Sequence, residues 1–584
     1  MSPYFGANVQ PDGSAVFRLW APTAGPGLRL EISGRAPIDL QPQLDGLVEH
    51  RVPDCPAGTR YCYRLGDGTR VPDPASRLQD GDVHDCSIVM GQDDYLWRHV
   101  SWQPPPWERT VLYEVHVGLA GGYNGLRERL ADLAALGVTA IELMPISDFP
   151  GPRNWGYDGV LPYAPDTAYG TPTELKRLID CAHGLGLAVM LDVVYNHFGP
   201  DGNYLPRLAQ PFFREGVTTP WGAAIDFRRP EVMRFFEDSA CYWLDEYRFD
   251  GLRLDAVHAI EDENWLLALP QRLRERLAPR RVYLVIEDDK NRSRLLRAGF
   301  DAQWNDDGHH VLHHLLTGET ASYYSDYAES PARVLSRCLA QGWQYQGQAS
   351  RFRNGKPRGE ASDDLAPSSF VWFLQNHDQT GNRAFGERLI QLCDEQALQA
   401  AVALQLLSPS IPMMFMGEEI GSNAPFLYFT SHTDEALADA VRHGRQREFE
   451  ALAAVADLLD PNSPDTYQRS CPWPENSIEN AWKTYYKHLL DLRQRYLSPC
   501  LAGSRSEASI VLGPAAVQAQ WRLGDGALLT LLTNLGSEPC RLPQALSATQ
   551  RQALRYESVD GGLAQAAIGE LPARCTLCLL EEPK

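Results

Sequence analysis

The chain has 584 residues, 44% of them apolar, which is enough material for a large core shared by two or three domains. Its formal charge of -21 at pH 7 argues against nucleic acid or an anionic membrane surface as a partner, because both demand clustered Lys and Arg that release counterions. A small neutral substrate fits this balance better, and 14 Trp and 24 Tyr would serve either to stack on sugar faces or to fill a core.

The opening "MSPYFGANVQPDGSAVFRLW" has neither a basic leader nor an apolar one, and no run reaches the ~18 apolar residues that a spanning helix needs, so a cytoplasmic protein is expected. Residues 1–92 then read as short alternating strands, "AVFRLWAP", "LRLEI" and "RYCYRL", the last followed by a hairpin-like "GDG"; together they predict a small N-terminal β-sandwich. "WQPPPWER" (102–109) is a stiff Pro-rich joint. From Val111 onward the pattern becomes an amphipathic helix, a Gly near its end, and an apolar strand finishing in polar residues. "LADLAALGVTAIELMPI", "LKRLIDCAHGLGLAVMLDVVYNH" and "ACYWLDEYRFDGLRLDAVHAI" are three copies, and "VLYEVHV", "VYLVIEDD", "FDAQWNDD", "FVWFLQNHDQ" and "IPMMFMGEE" supply further strands. These make eight βα units, which predict an α/β chain whose residues 93–497 form a (β/α)8 TIM barrel with its active site at the C-terminal strand ends. Tyr345 to Pro367 reads as a long rim loop before the seventh strand. Alternation returns in "AVQAQWRLGDGALLTLLTNL", so residues 498–584 are expected to form a C-terminal β-sheet domain.

Within "GLRLDAVHAI" (251–260), residues two apart share a face, so Leu252 and Leu254 can look toward the helices while Arg253 and Asp255 look into the barrel mouth. A structural ion pair would account for those two alone. Three more strand ends carry carboxylates, however: Asp192, Glu287 and Asp378. Carboxylates converging on a cleft for a neutral substrate suggest glycoside hydrolysis, with a barrel that only binds glucan as the alternative.

"DVVYNH" (192–197), "GLRLDAVH" (251–258), Glu287 after "YLVI", and "NHD" (376–378) resemble, in order, the four motifs of the α-amylase superfamily, the retaining family 13 glycoside hydrolases. The resemblance covers the barrel from about Val111 onward, and the preceding sandwich looks like the N-terminal module of branching and debranching relatives. It implies Asp255 as nucleophile, Glu287 as general acid and base, and Asp378 as a third carboxylate on the ring hydroxyls. Chemically, Arg253 should keep Asp255 ionised while Glu287 holds its proton near neutrality. The resemblance further implies that His197, His258 and His377 donate to the sugar and that Tyr157 in "NWGYDG" stacks beneath it.

Four other stretches, "DAQWNDDGHH" (301–310), "FLQNHDQTGNRAFGERL" (373–389), "MGEEIGSNAPFLYFTSH" (416–432) and "VRHGRQREF" (441–449), resemble the trehalohydrolase branch of that family. Members cut the α-1,4 bond beside a terminal trehalose, on a malto-oligosyltrehalose made beforehand by a separate synthase. This likeness implies that Asp306, Asp307, His309, Gln379, Asn382 and Arg383 belong to the site, with Asp306, Asp307 and Arg383 reading the trehalose end. Another α-glucan enzyme of the superfamily would share the catalytic residues and differ only in its subsites.

No cofactor or metal is expected. In "GHHVLHH" (308–314), His309 stands above His313 and His310 above His314, a spacing that can hold zinc, but no third ligand is apparent. Asn196 matches a calcium ligand of many amylases, yet about thirty residues after the third strand leave little room for an oxygen cage. "GLGLAV" precedes its strand, so a dinucleotide site is not supported, and neither GxSxG nor a Walker A pattern occurs. Cys575 and Cys578, in the strand-like "CTLC", and the ten other cysteines are expected to be free thiols.

Overall fold

The structure is a computed structural model that describes residues 4–91, 95–450, 458–473 and 480–583. The division predicted between residues 92 and 93 lies outside the described residues.

Eight parallel strands close on themselves: β1 (Leu112–Val115), β2 (Ala140–Leu143), β3 (Ala188–Val193), β4 (Gly251–Leu254), β5 (Tyr283–Ile286), β6 (Ala302–Trp304), β7 (Phe370–Trp372) and β8 (Ile411–Phe415). The helices that follow them in turn are α1 (Gly122–Leu136), α2 (Pro172–Gly184), α3 (Pro230–Asp245), α4 (Glu263–Leu277), the short α5 (Ser293–Arg297), α6 (Asp306–Thr317), α7 (Glu395–Leu407) and α8 (Ala481–Leu492). Local chemistry marks the boundaries. Thr171 and Glu174 form a capping box at the start of α2, and Gly137, with φ 113°, closes α1 in the left-handed conformation that favours glycine.

The period-2 reading places each strand's faces. Leu252 and Leu254 pack with the helices, whereas Leu112, Ala140, Met190, Val285, Ala302 and Met413 fill the lower barrel interior. Trp107, from the Pro-rich joint, packs into that lower layer and donates from Nε1 to the Ser368 carbonyl at 2.9 Å, so the joint plugs the N-terminal end of the barrel. One pleat higher the same strands carry Glu114, Glu142, Asp192 and Arg253. The interior therefore changes from apolar to ionic toward the mouth, which positions the site.

The N-terminal module consists of two antiparallel sheets. Gly6–Val9, Ala15–Trp20 and Leu47–Val52 form one, and strands centred on Arg29–Ile32 and Arg60–Arg64 form the other. Phe17, Leu30, Tyr61 and Tyr63 lie between them. Its Phe17, Trp20, Tyr61 and Tyr63 are all buried, so these rings support the module and the barrel and present no sugar-stacking platform. The C-terminal domain is a five-stranded antiparallel sheet, Arg505–Gly513, Ala516–Arg522, Leu528–Asn534, Cys575–Glu581 and Leu554–Glu557 in spatial order. It sits on the barrel helices, where Thr576 Oγ1 donates to the Ala400 carbonyl at 2.8 Å. The "CTLC" cysteines lie buried in that sheet as free thiols. Among the described residues no helix is long and apolar enough to cross a membrane.

Two pieces differ from the sequence reading. The excursion after β3 folds a hairpin, Phe213–Thr219 with Gly222–Ile225, where no strand was expected, because its side chains are largely exposed and its apolar signal is weak. The loop expected from Tyr345 to Pro367 contains a short strand pair, Gln348–Ala349 with Pro357–Arg358.

Candidate active site

Arg253 stands at the centre of the barrel mouth with no exposed surface. Its Nη1 donates to Asp192 Oδ2 at 2.7 Å and to Asp255 Oδ1 at 2.9 Å, and its Nη2 donates to Glu287 Oε2 at 2.7 Å. Its guanidinium also lies 4.0 Å over the Trp304 ring of β6. A buried charge of this kind is tolerated only when paired and hydrogen-bonded, and here three carboxylates from three strands do that. Directly after Asp255 the chain turns through Ala256, whose φ of 39° is a strained conformation for a residue with a Cβ. That turn aims the Ala256 N–H at Glu287 Oε2, 3.1 Å away. Asn196 donates from Nδ2 both to Asp255 Oδ2, at 2.7 Å, and to the Asp255 carbonyl, at 2.8 Å. The Asn196 amide is thus committed to Asp255, and among the described residues no group of three or more His, Cys, Asp or Glu side chains is arranged to hold a metal.

These contacts push neighbouring carboxyl groups apart. Burial alone would raise Asp255, but Arg253, His197 and the Asn196 amide hold it below the ordinary carboxylate value. Glu287 goes the other way: burial lifts it well above its ordinary value, and although Arg253 opposes this, Asp255, Asp378 and Asp306 add to it. Asp255 is thus pushed toward the ionised form and Glu287 toward the protonated one, the opposed pairing that glycoside hydrolysis requires.

Around this pair, Tyr157 lies half-buried, with its ring stacked on His377 at 4.8 Å and its hydroxyl donating to Asp192 Oδ2 at 2.6 Å. The loop can approach so closely because Gly156, with φ 105°, places its α-carbon where a Cβ would come within 2.1 Å of the Pro145 carbonyl oxygen. Asp378 is about a third exposed and accepts from Asn382 Nδ2 at 3.2 Å. His258 is half-buried beside it all, accepting from the Asp289 N–H at 3.4 Å. His197 departs from expectation, because its Nδ1 lies against Asn196 Oδ1 and its Nε2 is 3.0 Å from the Tyr157 carbonyl. Both nitrogens are occupied, so it supports Asn196 and leaves no donor for a sugar hydroxyl.

The β6 and β7 ends sort the remaining candidates. Asp306 is half-buried and raised to about 7, mainly by burial, against the pull of Arg358. Gln379 accepts on Oε1 from Tyr323 at 2.8 Å, which turns its amide N–H groups outward. Asp307 does not face the cleft. Its carboxylate has no exposed surface and takes hydrogen bonds from Arg358, Tyr327, Asn291, and the Gln344 and Tyr345 N–H groups. His309 is likewise buried, stacked on His313 at 5.7 Å and on Phe373 at 5.3 Å, a packing role within α6. Arg383 is held by Glu319, Nη1 at 2.8 Å and Nη2 at 2.9 Å, and by Glu387 at 3.2 Å, so most of its fork is already used.

Sequence reasoning passed over Glu114, Glu319 and Trp221. Trp221, 44% exposed at the hairpin tip, stacks on His197 at 5.5 Å and stands 6.1 Å from His258. A Trp between Pro220 and Gly222 in a polar turn was the available signal. Glu114 was open to the same period-2 argument as Arg253, and nothing local distinguishes Glu319.

Compared with known proteins, residues 75–211 match the family described as "Alpha amylase, catalytic domain", and residues 504–576 match "Domain of unknown function (DUF3459)". A Saccharolobus solfataricus protein named malto-oligosyltrehalose trehalohydrolase is 40% identical over 518 residues, 85% of this chain and 88% of that protein. A Rhizobium protein of the same name is 38% identical over 580 residues, 94% of this chain and 96% of that one. The crystal structure of a Salmonella typhimurium protein superposes with a TM-score of 0.92 at 39% identity, covering 100% of both chains.

Proposed function

The chain belongs to the malto-oligosyltrehalose trehalohydrolases of the α-amylase family, and from that premise we propose that it releases trehalose by a retaining, two-step hydrolysis. The observation that carries this reading is the single guanidinium of Arg253 holding on its two amino groups Asp255, whose pKa is lowered, and Glu287, whose pKa is raised. Carboxylates bridged in this way are near neighbours, in keeping with the ~5 to 5.5 Å of retaining enzymes and not with the wider gap that an inverting enzyme needs for its water.

In the first step Glu287 gives its proton to the glycosidic oxygen as Asp255 Oδ attacks C1. The C1–O bond breaks, trehalose leaves with that proton, and the malto-oligosyl unit is bound to Asp255 as an ester. The anionic Glu287 then takes a proton from water, whose oxygen attacks C1 from the vacated face. The C1–Asp255 bond breaks, and a shortened malto-oligosaccharide leaves with its anomeric configuration kept. Arg253 stabilises both carboxylates through the charge changes, Tyr157 stacks below the sugar, and Asp378 and His377 bind its hydroxyls. Asp306 and Gln379 are the groups with free polar atoms on the β6 and β7 side, which makes them the candidates for the trehalose end. A synthase that makes malto-oligosyltrehalose would act beforehand.

The test is cleavage of maltopentaosyl-trehalose against maltoheptaose, followed by chromatography. Two or three polar groups left unpaired by a plain maltodextrin, at ~1 to 3 kcal/mol each, predict at least ~100-fold preference in kcat/KM for the trehalose-capped substrate. Equal values, or branched glucan as the main product, would point to a general α-glucan enzyme.

A further inference from the structure

His377 has a second carboxylate, one that the mechanism above does not use. Its ring is 1% exposed, and Nδ1 lies 2.5 Å from Glu114 Oε1. The main-chain N–H of His377 donates to the other oxygen, Glu114 Oε2, at 3.1 Å. Glu114 is itself 1% exposed, on β1, across the barrel from the strand that carries Glu287, and both of its oxygens serve one residue. On the far side of the ring, Nε2 stands 3.5 Å from Asp378 Oδ2. A carboxylate at each nitrogen can be satisfied only by a ring that carries hydrogen on both. Tyr157 stacked on one side and the edge of Trp155, 5.7 Å away, leave the ring little room to rotate.

We propose that Glu114 is a positioning residue, which grips His377 through Nδ1 and the main-chain N–H so that the Nε2–H points at Asp378 and at the sugar bound beside it. This rests on the reading that Asp378 contacts the sugar. Electrostatics agree with the geometry: burial would lower His377, but Asp378 and Glu114 together raise it to about 9. The other charged or titratable groups facing it are Arg253, Asp192, Tyr157, His116 and Glu142. His116 is lowered to about 4, chiefly by burial, so it is neutral at pH 7 to 8, and Glu142 is raised well above its ordinary value, also chiefly by burial, which disfavours its anionic form. Asp192, raised to about 6, adds a negative charge there and Arg253 a positive one.

Two measurements decide it. In the intact wild-type protein with 15N-labelled histidine, the His377 resonance, assigned by its loss in His377→Asn, should show an imidazolium at pH 8; a neutral ring there overturns the proposal whether or not any variant folds. Glu114→Gln removes one of the two charges that hold the proton, so the His377 imidazolium signal, followed against pH in the same labelled protein, should titrate at least about 1 pH unit lower than in wild type, and Glu114→Asp should move it back. A structural role alone would lower activity and leave the His377 titration in place, which would also overturn the proposal. Loss of the trehalose preference in wild type would instead undermine the substrate reading while leaving the histidine signal intact.

Discussion

Two buried arginines organise this barrel mouth, and they do opposite things. Arg253 gathers Asp192, Asp255 and Glu287; Arg358 gathers Asp307, Tyr327 and the Asp289 carbonyl. Both networks pair a guanidinium with carboxylates at strand ends. They differ in access, since Asp255 and Glu287 keep 10% and 18% of their side chains exposed and Asp307 keeps none. They differ also in saturation. Five donors fill the roughly four lone-pair sites of the Asp307 carboxylate, so nothing is left for substrate. Asp255 accepts from Arg253 and Asn196 and retains an open lobe toward the cleft. An ionic cluster becomes a reactive site when it is left incomplete on one side, and becomes scaffold when it is closed.

The sharpest break between the two networks should come from removing one charge in each. Asp255→Asn is expected to lower kcat by ~10⁴-fold or more with the melting temperature nearly unchanged, measured on trehalose release and by calorimetry; near-normal turnover would remove Asp255 from the nucleophile role. Asp307→Asn should do the reverse, costing about 3 to 5 kcal/mol because Arg358 would be left buried without its anion, while the protein that folds turns over like wild type. A selective loss of trehalose-capped turnover in that variant, without loss of stability, would return Asp307 to the substrate site.

Between these extremes lies Arg383. Because most of its fork is already used and Asp306 and Gln379 are the candidates for the trehalose end, Glu319→Gln should change KM for the capped substrate by less than about 3-fold; a rise of about 10-fold, equivalent to roughly 1.4 kcal/mol, would place Arg383 among the substrate contacts. The smallest effect concerns Asp306, which is raised to about 7 and thus protonated below that pH and ionised above it. The ratio of kcat/KM on capped and plain substrates should therefore change between pH 6 and 8 in wild type and stay flat in Asp306→Asn. A ratio that changes equally in both would show that another group reads the trehalose end.

The barrel was legible before any coordinates, because a parallel strand buried on both faces is a short apolar run, and eight such runs ended in polar residues. The alternation of Leu252 and Leu254 with Arg253 and Asp255 fixed which side of β4 would carry charge, and the carboxylates at 255, 287 and 378 stood out for the same reason. The hairpin holding Trp221 was hidden because an exposed ribbon has no face to bury and so leaves no periodic signal.

Access is a different kind of quantity. Asp306 and Asp307 are adjacent in one motif and indistinguishable by composition, yet one faces the cleft and the other is enclosed, because Arg358 and Tyr327 arrive from segments 51 and 20 residues away. His309, Arg383 and Glu114 follow the same rule. Residue type and spacing determine which strands form and which chemistry they carry to their ends; which of those groups remains open to a substrate depends on partners brought in from distant parts of the chain, and only the closed barrel decides that.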